Sequence, residues 1–134
     1  MIPQHKLNVG LRLLITGLAA AIAGIHLDLW SSHGYRHIPT VGALFLLNAI
    51  GGFLLAATSL GLPSRLVRFA WLAIAGYAAV TLIALIISVN AELFGFTEST
   101  NAPLIVPSVA VEAAAILVVS SAAAWSRLRR PADT

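Results

Sequence analysis

The chain has 134 residues, of which 59% are hydrophobic and only 10% charged, with a net charge of +3 and no cysteine. Soluble domains carry about 25% charged residues, so there are too few here to give each of several helices a polar face. Missing cysteines exclude disulfides, thiol redox chemistry and cysteine-ligated metals.

Four apolar runs fill most of the chain, at residues 9–30, 41–62, 66–89 and 104–125. Each reaches the roughly 20 residues that a helix needs to cross about 30 Å of hydrocarbon. The expected fold is therefore all-α: a polytopic membrane protein built as one antiparallel four-helix bundle, a single domain over residues 1–134. Basic residues set the orientation. Lys6, Arg12, Arg65, Arg68, Arg127, Arg129 and Arg130 fall on one side and Arg36 alone on the other. By the positive-inside rule both termini and the turn at 61–65 are expected to be cytoplasmic. The same residues meet anionic headgroups, so the basic charge points to the lipid bilayer and away from nucleic acid.

The first run begins like a signal peptide, with Lys6 and Arg12 ahead of an apolar stretch and Ala21-Ile22-Ala23 as a small-residue site. It continues through Ile25, Leu27, Leu29 and Trp30 to spanning length, which predicts a retained first helix. Ile15, Ala19, Ile22, His26 and Leu29 share one face of it at helical spacing. His26 should therefore face inward. Asp28, about 200° round from it, should sit at the surface near Arg36 or His33.

Residues 31–40 (SSHGYRHIPT) form the first outer connection, with Gly34 and Pro39 as turn residues. His33 and His37 are four apart and share a metal only on a helix. Gly34 and Pro39 oppose one, and Arg36 repels a cation, so the segment reads as a loop touching headgroups and no metal is assigned. Trp30 and Tyr35 are expected at the outer interface, Trp71 and Trp125 at the inner one. The second helix carries Asn48. The turn 61–64 is tight, with Ser64 as a candidate N-cap of the third helix. That helix aligns Thr81, Leu85, Ser88 and Glu92 in a stripe. Residues 90–103 form a long polar, acidic outer connection holding Phe94 and Phe96.

Small residues recur four apart, at Gly17/Ala21, Ala20/Gly24, Gly52/Ala56, Ala75/Ala79 and along Ala113–Ala115. In lipid such pairs let helix backbones approach closely, and packing within the chain is the first reading.

Glu112 is the least expected residue. It lies about 8–14 Å below the outer surface, where a carboxylate costs several kcal/mol unless paired, solvated or protonated. With His26, Asn48 and Ser88 or Glu92 it gives every helix a polar group in the outer half. The inner half shows fewer, Thr16 and Ser120 among them. This asymmetry predicts a polar pocket opening outward, with a contact between His26 and Glu112, direct or through one bridging group. No catalytic residues are assigned: nucleotide-binding glycines, a nucleophile elbow and a zinc-protease motif are all missing. His26 is the only histidine inside a run, which disfavours a bis-histidine haem.

The four short spans, inner termini and polar outer halves resemble the DoxX-like group of small bacterial membrane proteins, and HLDLW (26–30) with GYRHIPTVGALFLLNAIGG (34–52) resembles bacterial proteins of this size. The resemblance implies a four-span fold and an association with quinone or sulfur redox chemistry, of which the cysteine-free composition disfavours any thiol version. Two functions are expected from these features. One is an accessory or interaction subunit, within a larger envelope complex or a homo-oligomer. The other is a pocket for a quinone, lipid headgroup or small solute, with His26 and Glu112 as paired polar contacts and Asn48 orienting the ligand. An oligomeric channel or transporter ranks third.

Overall fold

The computed structural model describes residues 4–128, so Arg129 and Arg130 lie outside the described part. Four helices make up the fold: α1 (Gln4–Ser32), α2 (Val41–Gly61), α3 (Val67–Asn90) and α4 (Ile105–Leu128). All four are long and apolar enough to cross a membrane. A single 3-10 turn, Tyr35–His37, interrupts the first connection. No β-strand occurs among the described residues; Leu93 and Phe96 form one isolated bridge.

The expected boundaries hold to within a few residues, except that α1 is already helical at Gln4, the first described residue, well ahead of residue 9. Polar residues here extend the helix beyond its apolar run, because helix propensity does not depend on hydrophobicity. Ser64 does not cap α3. The N-cap is Leu66, without a side-chain bond, and the Pro63 carbonyl instead accepts from the Leu66 and Val67 amides.

Each helix contributes a stripe of small and β-branched residues to the core. The α1 face read from the sequence is the buried one: Ile15, Ala19 and Ile22 are fully buried, and His26 and Leu29 nearly so. Ile15 and Ala19 pack with Ala56, Ile74 and Val119. Ile22 packs with Ala78 and Ala115. The outward faces carry Leu47, Leu54, Val80, Ile83, Val106 and Leu117, all large, apolar and exposed. That is the reverse of a water-soluble bundle, in which the outer face is polar.

The closest packing joins α1 to α2. A Cβ on Gly52 would lie 2.8 Å from the Ala23 methyl and collide with the Tyr77 hydroxyl. The missing side chain is therefore what brings three helices together at this level. Of the expected small-residue pairs, Gly52/Ala56 is buried in this contact. Gly17 is exposed with nothing near it; Ala19 and Ala23 make the α1 contact face instead.

Away from the connections, the Thr16 hydroxyl donates to Ser59 Oγ at 3.1 Å, while Ser120 is exposed. The Arg12 guanidinium donates to the Leu62 carbonyl at the end of α2. This satisfies a terminal carbonyl with a cation, as helix C-termini favour. Trp71 packs on the core cluster, with its indole nitrogen buried.

Candidate functional site

A cavity of about 120 Å³ is enclosed by all four helices, the 3-10 turn and the connection between α3 and α4. Helical spacing brings its polar side chains together. His26 comes from the inward face of α1 and Asn48 from α2. Thr81 and Ser88, seven residues apart, come from one face of α3. Ser108 and Glu112, four apart, come from one face of α4. Of the residues expected to form a site, His26, Asn48, Ser88 and Glu112 thus line one space.

Glu92 does not join them. α3 ends at Asn90, so Glu92 falls past the helix, exposed, and outside the cavity lining. The extrapolated helical stripe fails where the helix stops. Glu98 takes the acidic place in the rim. It lies in an irregular segment, where sequence periodicity gives no signal.

The expected contact between His26 and Glu112 is not formed. His26 Nδ1–H donates to the Ile22 carbonyl one turn back, at 2.9 Å. Ser108 Oγ donates to Glu112 Oε1 at 3.3 Å, again within one helix. Each group finds its partner at i−4, which requires no precise interhelical distance. Glu112 is 1% exposed, yet its second oxygen, Oε2, is buried with no hydrogen-bond partner among the described residues. Buried polar atoms are nearly always paired, and each exception calls for an explanation.

Asn48 is held by a residue the sequence reading missed. The Tyr77 hydroxyl donates to Asn48 Oδ1 at 2.5 Å, and it also lies 3.1 Å from the Asn48 carbonyl oxygen. With Oδ1 taken, the amide nitrogen of Asn48 remains as a donor. Tyr77 could have been suspected as a phenol in the middle of an apolar run, since a buried hydroxyl needs a partner.

An aromatic series closes the cavity above His26. The His26 ring lies 5.1 Å from that of Phe45, Phe45 is stacked on Tyr35 at 4.7 Å, and Phe96 meets Tyr35 edge-on at 5.9 Å. Tyr35 is therefore buried. Its hydroxyl donates to Glu98 Oε2 at 2.6 Å, tying the first connection to the second. Two further details fix this roof. Gly42 lets the backbone of Tyr35 and Arg36 rest on α2, where a Cβ would lie 2.7 Å from the Tyr35 oxygen. Phe94 and Gly95, both with positive φ, turn the chain between the paired amides and carbonyls of Leu93 and Phe96, as in a two-residue hairpin.

The loop residues point elsewhere. His33 pairs with Asp28 at 3.4 Å, placing Asp28 at the surface as expected. The Arg36 guanidinium donates to His37 Nε2 at 3.0 Å. The two histidines are thus engaged separately.

Beside the cavity, a groove of about 790 Å³ runs between α2 and α3. It shares Leu44, Asn48, Thr81, Ala84, Leu93 and Phe94 with the cavity lining. Gly51 and Gly76 also line the groove, and no atoms lie near where their side chains would begin.

Comparison with protein-family models, with curated proteins and with solved structures finds no match to this chain.

Proposed function

We propose that this is a membrane protein that binds the polar end of a small membrane-dissolved molecule in a pocket within the outer half of the bilayer. In this reading α1–α4 span a bacterial inner membrane up and down in turn. The termini and the 61–66 turn are cytoplasmic, and the Tyr35–His37 turn and the 91–104 connection face outward. The alternating placement of basic residues supports this orientation, and the apolar outward faces support insertion. A four-span layout of this kind is also what the DoxX-like resemblance implies.

One observation carries the binding reading. Four helices direct His26, Asn48, Ser88 and Glu112 into one cavity, and Glu112 keeps an unpartnered, buried oxygen there. A purely structural tie would have satisfied that oxygen. Ionisable groups placed within a span mark ligand or ion sites by default. The adjoining groove gives an apolar tail a place beside the pocket, which fits a lipid-soluble molecule better than a water-borne solute.

The test is co-purification. Protein isolated in mild non-ionic detergent is extracted with organic solvent, and the extract is analysed by mass spectrometry beside that of Glu112→Leu. A lipid-soluble molecule enriched with the parent protein and lost from the variant is the expected result. Identical extracts from folded samples of both would overturn the reading.

A further inference from the structure

Resting on that pocket reading, we infer that the ligand is a lipophilic organic cation, an ammonium head on an alkyl chain, with the head in the cavity and the chain along the α2–α3 groove.

The argument is an inventory of unmet hydrogen bonds. The hydroxyl donors around the cavity are already committed. Ser88 donates to the Leu85 carbonyl and Ser108 to Glu112; the Thr81 hydroxyl lies against the Glu112 carboxyl but donates to the Ala78 carbonyl, leaving Oε2 without a partner. Two acceptors remain open: Glu112 Oε2, and His26 Nε2, which is the acceptor nitrogen of the neutral ring because Nδ1–H donates to Ile22. Only the Asn48 amide nitrogen is left as a donor. A ligand offering carbonyl or phosphate oxygens alone would leave the carboxylate oxygen unmatched. A ligand that donates satisfies both acceptors.

Charge then selects a cation over a neutral alcohol. The lining holds two carboxylates, Glu112 and Glu98, and neither lysine nor arginine. In apolar surroundings an opposite charge beside a buried carboxylate is far more stabilising than in water. Phe45, Tyr35 and Phe96, packed on one another, give the head no competing charge. The cavity, at about 120 Å³, is small beside the adjoining groove of about 790 Å³. That admits an ammonium group and its first carbons but not a long chain. The chain has the groove, which meets the cavity at Asn48 and Thr81 and is deepened by Gly51 and Gly76.

The test uses three probes of one chain length: decylammonium, decanol and decanoate. Each is titrated calorimetrically into the purified protein in maltoside micelles, with protein-free micelles subtracted. The protein should bind decylammonium about tenfold more tightly than either of the other two. In Glu112→Gln that preference should disappear while decanol binding is kept. Equal affinity for the three probes, tighter binding of decanol or decanoate, or an unchanged preference in Glu112→Gln would overturn the cationic assignment and leave the pocket reading standing. Saturable binding of none of them would overturn both.

Discussion

The Tyr35 hydroxyl donates a 2.6 Å hydrogen bond to the carboxylate of Glu98, 63 residues further along the chain. It links the connection after α1 to the connection after α3, and so ties together the two segments that roof the cavity. Hydrogen bonds to charged groups contribute about 1.5–3 kcal/mol. Tyr35→Phe keeps the stacking on Phe45 and removes only this bond. Thermal unfolding in detergent should show a loss of about 1–2 kcal/mol, and ligand should dissociate faster.

The same bond has a pH dependence. Burial, and then the bond to Glu98 and its negative charge, hold the Tyr35 phenol above its ordinary value. The folded state thus favours the protonated phenol. Its contribution is full below the ordinary phenol value of about 10 and is lost as the pH climbs from there through the raised value. The stability difference between the parent protein and Tyr35→Phe should be constant from neutral pH to about 10 and shrink above it. A difference that grows with alkali would contradict this placement of the proton.

Gly52 and Gly51 are neighbours with opposite demands. A methyl at Gly52 meets Ala23 and Tyr77, whereas one at Gly51 meets nothing. Gly52→Ala should therefore destabilise by about 1–3 kcal/mol through overpacking. Gly51→Ala should be neutral or slightly stabilising, because alanine favours the helix. Unfolding midpoints of the pair, measured side by side, check this.

Asn48 and Tyr77 should be coupled. A double-mutant cycle with Asn48→Leu and Tyr77→Phe should give an interaction energy of about 1 kcal/mol. Additive effects would mean that the hydrogen bond between α2 and α3 contributes nothing.

Glu112→Leu separates stability from function. The carboxyl is half-satisfied, with Oε2 buried and unpartnered, so replacing it by an apolar side chain of similar size removes an unmet desolvation cost of about 1–3 kcal/mol. The variant should unfold at the same temperature or higher, yet lose the ligand. A large drop in the midpoint would instead make Glu112 a structural residue.

Much of this protein was legible without its structure. Runs of about 20 apolar residues, broken by turn residues and flanked by charge, predict four helices because the hydrocarbon thickness sets the length. The buried face of α1 followed from the 3.6-residue period, which places Ile15, Ala19, Ile22, His26 and Leu29 in one row. His26, Asn48, Ser88 and Glu112 were marked by type alone, as polar groups where lipid tolerates few. What the sequence could not supply were distances between helices and the course of irregular chain. A helical row says which way Glu112 faces; only the packing decides that it stops short of His26 and bonds Ser108 instead. Glu92 and Glu98 differ by six positions and look alike in sequence. The end of α3 at Asn90 leaves the first in the open, and the 91–104 connection carries the second back to Tyr35. Local periodicity fixes direction along a helix, whereas contacts between remote segments depend on how the whole chain packs.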